Sequence, residues 1–420
     1  MTYALYDIVT SCAVPVGAIW LALHPQYHPL FARFSPHVPA VSGPPLWVQA
    51  CSVGEVGTAK PLVKSFAERH PEVPVLLTTS TVSGHALARS AGDRIHASWF
   101  PFDHKFSVRR FLSRANPRAL VLLETELWPN VLRETRRRGV PVVLLNGRLS
   151  DRHLARYRRF RRLLQPVLRH LSVAGMQNQE YADRIAELGV PREVIHITGN
   201  TKFDGVVTDV PPHVTNAVRQ ENGLGAAPIL LFGSTRPGDE ALAARCWSVL
   251  RDEFPALRLV IAPRHPERAD EAVACFNEPV LRRSHVKQGR RPQDERVFVL
   301  DTVGELIPFY AVAALAVVGG SFYPGVNGHN PLEPAALAVP TVFGPYMRNF
   351  IDPARVLVAC DGARQVGHPG ELLPTLRALL EDADTRRAIA ARGREGVLAN
   401  QGAIQRSLDL LDSVLDAREA

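Results

Sequence analysis

The chain has 420 residues, 46% hydrophobic and 21% charged, a length that suits two domains and a composition that excludes intrinsic disorder. Its five cysteines, Cys12, Cys51, Cys246, Cys275 and Cys360, are odd in number and form no CxxC pair, which argues against a structural zinc site and favours a reducing compartment. Residues 1–200 carry 25 Lys and Arg against 14 Asp and Glu, and the remainder 24 against 27, so the basic half suits partners with dense negative charge: nucleic acid, anionic lipid or phosphorylated substrates.

Residues 8–23 are mostly apolar, with Asp7 before them and Pro15 among them. A hydrocarbon core needs about 20 apolar residues, so this segment could span marginally, lie in the interface, or form a buried first helix. No Lys or Arg precedes the run and no small-x-small site follows it, which argues against a cleaved signal peptide. From residue 46, short apolar runs alternate with helical stretches: LWVQA then 56–69, PVLLTTS then 82–91, ALVLLETE then 130–138, with PVVLLNG and VIHITGN continuing the series. Continuous apolar strands between amphipathic helices imply a parallel sheet covered on both faces. After the Pro-containing stretch 205–217 a second series follows, PILLFGS, LRLVIAP, VFVLDT, AALAVVGG and TVFGP, and the helical tail 384–418 is expected to pack across the domains.

In doubly wound sheets the ligand lies beyond the carboxyl ends of the strands. The first such turn holds Ser52, Gly54 and Glu55, with a helix expected from about Val56. Gly54, Gly57 and Lys60 do not complete GxxxxGK[ST], and Ala50 stands where a nucleophile elbow needs its first glycine. Glu55 reads either as a functional carboxylate or as a charge that favours the helix start. In the second series Ser234, Thr235 and Arg236 precede a helix start that can hold phosphate, and Arg264 follows LRLVIAP in the same manner. Gly304, Glu305 and Leu306 follow the third run, Gly319, Gly320 and Ser321 the fourth, and Asn330 and Glu333 are spaced to act together on ribose hydroxyls.

The ordered set SVGE, ETELWPN, NGRLSD, GNTKFD, FGSTRPGDE, APRHPER and GHNPLEP, spread from about residue 46 to 360, resembles the 3-deoxy-D-manno-octulosonic acid (Kdo) transferases of Gram-negative lipopolysaccharide assembly. The resemblance implies an α/β protein of GT-B type, two doubly wound Rossmann-like domains facing a central cleft. It implies CMP-Kdo as donor, a lipid A precursor as acceptor, and residence at the cytoplasmic face of the inner membrane. The expected divisions are an anchor at residues 1–23, an acceptor-binding domain at 24–204 and a donor-binding domain with terminal helices at 205–420. On the family pattern Glu55 is the general base and Glu126 and Lys202 assist the transition state, while Ser52, Gly54 and Arg148 are expected to meet the acceptor. Pro263, Arg264, Gly304, Glu305, Leu306, Asn330, Pro331, Leu332 and Glu333 are implied CMP contacts, joined from the strand-end reading by Ser234, Thr235, Arg236, Gly320 and Ser321. The loop SFYPGVNG and the segment before Leu46 depart from the family's usual pattern.

No DxD motif stands at a strand end, and one phosphate can be stabilised by basic and backbone donors, so neither metal nor cofactor is expected. The six arginines of residues 152–162 suit an anionic membrane surface better than nucleic acid, whose recognition motifs are missing. Rival readings are a UDP-sugar transferase, a serine hydrolase built on Ser52, and a non-enzymatic peripheral membrane scaffold.

Overall fold

A computed structural model describes residues 2–419, which divide into two compact units: one runs to Gly205 and takes in the chain again from Gln401, and the other is Val206–Asn400. Each is built on seven parallel strands. In the first, β1 (Leu46–Gln49), β2 (Val75–Thr79), β3 (Ile95–Trp99), β4 (Ala119–Leu123), β5 (Val142–Gly147), β6 (Val173–Met176) and β7 (Ile195–Ile197) lie in the order β3-β2-β1-β4-β5-β6-β7. Successive side chains of a strand point to opposite faces, and the core divides accordingly. Trp47, Leu120, Leu122 and Leu144 pack on one face with Phe111 and Val131, whereas Leu46, Val48, Val121 and Leu145 pack on the other with Val56 and Phe66.

The second unit repeats the plan. Its strands are β8 (Ile229–Thr235), β9 (Arg258–Pro263), β10 (Val280–Arg282), β11 (Val297–Val299), β12 (Leu315–Val318), β13 (Thr341–Phe343) and β14 (Arg364–Gln365), ordered β10-β11-β9-β8-β12-β13-β14. Leu230, Phe232, Leu259 and Ile261 face one core cluster, and Ile229, Leu231 and Val260 the other.

Both sheets therefore have a switch point beside their first strand, where crevices form because the flanking connections run in opposite directions. In the first unit it lies between β1 and β4, and in the second between β8 and β12.

The helical tail serves both units, as expected of a segment that packs across the domains, although its last helix leaves the division expected at 205–420: Ala383–Ala399 packs on the helix Leu332–Ala336 of the second unit, and Ala403–Glu419 buries Leu408, Leu411 and Leu415 in the core of the first. The last helix covers β5 and β6 on the face that the helix Val53–Arg69 shares, so apolar cover recruits the chain back to the first unit. That helix also begins at Val53, three residues before the expected start, which puts Glu55 inside its first turn. At the amino terminus a helix spans Thr2–Leu23 and a 3-10 segment Pro25–Phe34 follows.

Candidate active site

At the switch point of the first unit the chain leaves β1 through Ala50 and Cys51, and Ser52 caps the helix Val53–Arg69. The first amide groups of a helix have no intrahelical partner, and Glu55 turns back to accept from the Cys51 N–H. Beside it β4 ends at Leu123, and Glu124 adopts a left-handed φ of 56°, a strained conformation for a non-glycine residue. That kink brings Glu126 against the first loop, its Oε2 accepting from Trp128 Nε1 at 2.9 Å. Cys51 Sγ and one carboxylate oxygen from each of Glu55 and Glu126 lie within 4.8 Å of one another, a donor set that could also take a divalent cation.

The electrostatics follow from crowding three acids in a poorly hydrated corner. Burial, reinforced by the charges of Glu126 and Glu124, pushes the Glu55 carboxyl up to about 8. Burial also raises Glu126, and it pushes the Cys51 thiol up to about 12, so the sulfur stays protonated at neutral pH. A compensating cation is Arg33, which the sequence reading did not single out. Arg33 is buried, donates to the carbonyls of Phe100 at 2.9 Å and Ser80 at 3.3 Å, and sits 4.4 Å from the Phe102 ring centroid. Its charge is felt by Cys51 and Glu126. The available signal was an arginine inside the apolar string PLFARF.

The other expected residues of this unit distribute along the same sheet edge. Ser52 and Gly54 flank Glu55, and a Cβ at Gly54 would meet only Ser52 Oγ, at 4.0 Å, so packing within the protein does not require glycine there. The Arg148 carbonyl accepts from Thr125 Oγ1, which joins the end of β5 to the loop carrying Glu126. Lys202 is four strand positions from β1, after β7. Its loop is held by buried amides: Asn200 Oδ1 accepts the Lys202 N–H at 3.0 Å, Asn200 Nδ2 donates to Gln177 at 3.0 Å, and Asn146 Oδ1 accepts the Thr201 N–H at 3.2 Å.

In the second unit the loops after β8 and β12 press together. Ser234 has a φ of 56°, and a Cβ on Gly319 would lie 2.5 Å from its carbonyl oxygen, so only glycine allows this approach. Gly320, at φ 67°, donates its N–H to Asp239 Oδ2 at 2.6 Å, and the Arg236 N–H donates to the same oxygen at 2.9 Å. Asp239, another residue not singled out in the sequence, thus clamps both loops, and burial pushes its carboxyl up to about 6. Thr235 and Ser321 are buried and committed internally. Thr235 donates to Glu240 at 2.8 Å, while Ser321 Oγ donates to the Val318 carbonyl at 2.6 Å and accepts from the Gly344 N–H at 2.9 Å.

Pro263 ends β9, and the following Arg264 N–H bonds the Thr235 carbonyl at 3.0 Å. Pro331 caps the short helix Leu332–Ala336; Asn330 Oδ1 accepts the Leu332 N–H at 3.1 Å and its Nδ2 donates to Glu333 Oε1 at 3.3 Å. Burial raises the Glu333 carboxyl although Asn330 and Arg264 oppose the shift. His329, missed despite standing in GHNPLEP, is pushed down to about 4 by burial and then by Arg264 and Arg236. Its Nε2 and Arg236 Nε are buried without partners, two nitrogens suited to an anionic ligand, while Asp239 Oδ1, likewise without a partner, is an acceptor that an anion would not approach.

Gly304 and Glu305 precede the helix Leu306–Ala311, which Leu306 opens, but the Glu305 side chain is committed to ion pairs with Arg283 and Lys287, each at 2.9 Å. Burial would raise this carboxyl, yet bonds from Arg283, Thr302 and Lys287 outweigh it and hold it at about 2.

A family model described as 3-deoxy-D-manno-octulosonic-acid transferase (kdotransferase) matches residues 28–205. The chain is similar to the 3-deoxy-D-manno-octulosonic acid transferase of Haemophilus influenzae, 32% identical over 402 residues and covering 93% of each chain. It is also similar to that of Bordetella pertussis, 33% identical over 396 residues, which cover 92% of this chain and 91% of the relative. Among solved structures, a UDP-N-acetylglucosamine 2-epimerase from Listeria monocytogenes aligns with a TM-score of 0.59 at 13% identity, over 90% of this chain and 98% of the other. HepE of Anabaena, solved with UDP, aligns with a TM-score of 0.58 at 14% identity, over 89% and 99%. These two likenesses establish the fold, which is of GT-B type.

Proposed function

The chain belongs to the 3-deoxy-D-manno-octulosonic acid transferase family and is a Kdo glycosyltransferase, and from that premise we propose that it moves Kdo from CMP-Kdo to a lipid A precursor at the cytoplasmic face of the inner membrane. The observation that carries the mechanism is Glu55, fixed by the Cys51 N–H with its carboxyl at about 8 beside Glu126. A base is most effective when its pKa lies near the working pH, because it is then both available and strong enough to take a proton.

In the proposed step an acceptor hydroxyl oxygen forms a bond to the anomeric carbon of Kdo as the bond from that carbon to the CMP phosphate oxygen breaks. Its electron pair leaves with CMP and the hydroxyl proton passes to Glu55. Direct displacement inverts the anomeric centre. General-base catalysis contributes about 10² to 10⁴-fold, so positioning and charge stabilisation must supply most of the acceleration. Arg236, Arg264 and His329 are suited to the phosphate, and Glu333 with Asn330 to the ribose hydroxyls. Glu126 and Lys202 serve as assisting groups, with Ser52, Gly54 and Arg148 toward the acceptor.

The test is purified protein with CMP-Kdo and a tetraacylated lipid A precursor, the products identified by mass spectrometry. A mass increase of one or more Kdo units, with CMP released in equal amount, is expected. Transfer from a UDP-sugar but not from CMP-Kdo would overturn the donor assignment.

A further inference from the structure

Asp7 of the helix Thr2–Leu23 is ion-paired to Arg133 at 2.7 Å. Three further contacts tie the first half of this helix to the catalytic unit. Tyr3 donates to the Leu163 carbonyl at 2.7 Å, Tyr6 to Asp103 at 2.6 Å, and Ser11 Oγ lies 3.3 Å from His104 Nε2. Asp103 is itself a node of the fold, since it accepts the N–H groups of Asn130 at 3.1 Å and Val131 at 2.8 Å and so caps the helix that follows the Glu126 loop.

The helix carries its amphipathy inside out. Tyr3, Tyr6, Asp7 and Thr10, half-buried, form the stripe toward the protein, and Leu21 continues it as a buried residue. The opposite face presents Leu5, Ile8, Val9, Val16, Ile19 and Leu23, each between 55% and 72% exposed, and residues 8–23 contain no Asp, Glu, Lys or Arg. An exposed apolar face of this extent calls for a partner.

We infer that this helix lies in the plane of the membrane interface, its apolar face among the acyl chains of an anionic bilayer, and does not cross the membrane; this rests on the membrane-bound acceptor proposed above. The 21 residues Tyr3–Leu23 of this helix are just enough, at 1.5 Å per residue, to cross a core about 30 Å thick. To cross, however, it would have to draw Asp7 and Arg133, and with them Asp103 and the capped helix, into hydrocarbon, where ionised groups are costly. The in-plane arrangement keeps these contacts at the polar side.

The surroundings complement a bilayer surface. Trp20 stacks on Tyr27 with ring centroids 5.2 Å apart, and Phe106, 72% exposed, follows the His104 that meets Ser11. Tyr3 reaches the helix Arg161–Leu168, where exposed Arg161 and Arg162 adjoin the exposed Phe160. Aromatic rings beside arginines match the level of anionic headgroups.

The experiment uses the full chain with a protease-cleavable tag placed before Met1, expressed and recovered in sealed everted inner-membrane vesicles. Flotation with the vesicles is expected, together with removal of the tag by added protease without detergent, because both ends of an in-plane helix stay on the protein's side. Protection of the tag until detergent is added would show a span and overturn the inference. Failure to float at all would overturn the membrane-bound reading on which it rests. A purified variant combining Ile8→Glu and Val16→Glu should keep its melting temperature and lose at least tenfold in binding to phosphatidylethanolamine–phosphatidylglycerol vesicles; unchanged binding would also overturn the inference.

Discussion

Glu55 and Glu126 stand 71 positions apart in the chain, yet their carboxylate oxygens approach within 4.8 Å because β1 and β4 are neighbours at the switch point of the sheet. Both carboxylates raise the proton affinity of the half-buried Cys51 thiol between them, and Arg33 supplies an opposing charge. A carboxylate that merely ended a helix would be surrounded by water, and its pKa would stay near the ordinary value.

Replacing Glu55 by Gln keeps its size and removes the basic oxygen. Turnover should fall by at least ~10²-fold, the low end for general-base catalysis, while CMP-Kdo affinity and fold persist. If Glu55 only stabilised the helix start, the substitution would cost ~0.3 to 1 kcal/mol and spare the chemical step. Thermal melting and single-turnover kinetics on one preparation separate these outcomes, and a near-normal rate would remove Glu55 as the base.

The pH dependence has opposite signs for stability and for rate. Between the ordinary carboxyl value of 4.5 and the folded value of about 8, the unfolded chain has released the Glu55 proton and the folded chain still holds it. Stability contributed by this group therefore falls as pH rises through that window. The single-turnover rate should instead rise, with a midpoint near 8, because only the carboxylate accepts a proton. Glu126→Gln should move that midpoint downward by removing a neighbouring charge, while burial keeps it above 4.5. A rate profile whose midpoint ignores Glu126 would assign the titration to another group.

Glu333→Gln tests the proposed nucleotide site. The loss of hydrogen bonds between a charged group and two ribose hydroxyls is worth about 1.5 to 3 kcal/mol, or roughly 10- to 150-fold in CMP affinity. Calorimetry on the folded variant measures it directly. Equal affinity would exclude this carboxylate from the site.

Chelation addresses the Cys51, Glu55 and Glu126 donor set. Turnover should be unchanged after dialysis against EDTA, since the reading assigns Glu55 to a proton and not to an ion. Loss of turnover restored by a stoichiometric divalent cation would reverse that assignment.

The repeated run of apolar strand, polar turn and helix was legible in the sequence alone because parallel strands buried on both faces need unbroken apolar side chains. Edge strands were harder: Ile95–Trp99, Val280–Arg282 and Arg364–Gln365 lie at sheet margins, where one side is less buried and polar residues interrupt the pattern. Val173–Met176 escaped for another reason, since its centre is Ala174 and Gly175, too small to register as an apolar run. The strand-end positions of Glu55 and Arg264 and the helix-opening position of Glu333 could also be read locally.

Only the tertiary structure decided which of these ends meet. Strand order depends on packing between residues far apart in the chain, so the pairing of Glu55 with Glu126 and the clamp of Asp239 on Gly320 have no local signal. The same holds for Arg33, whose role follows from burial beside groups that precede neither its helix nor its strand in any periodic pattern. It also holds for the terminal helix, which joins the first unit because Leu408, Leu411 and Leu415 find apolar cover there. An apolar stripe tells a helix to bury one face, but which surface receives it is set by the remaining exposed area of the folded units, a quantity that exists only once the chain has folded.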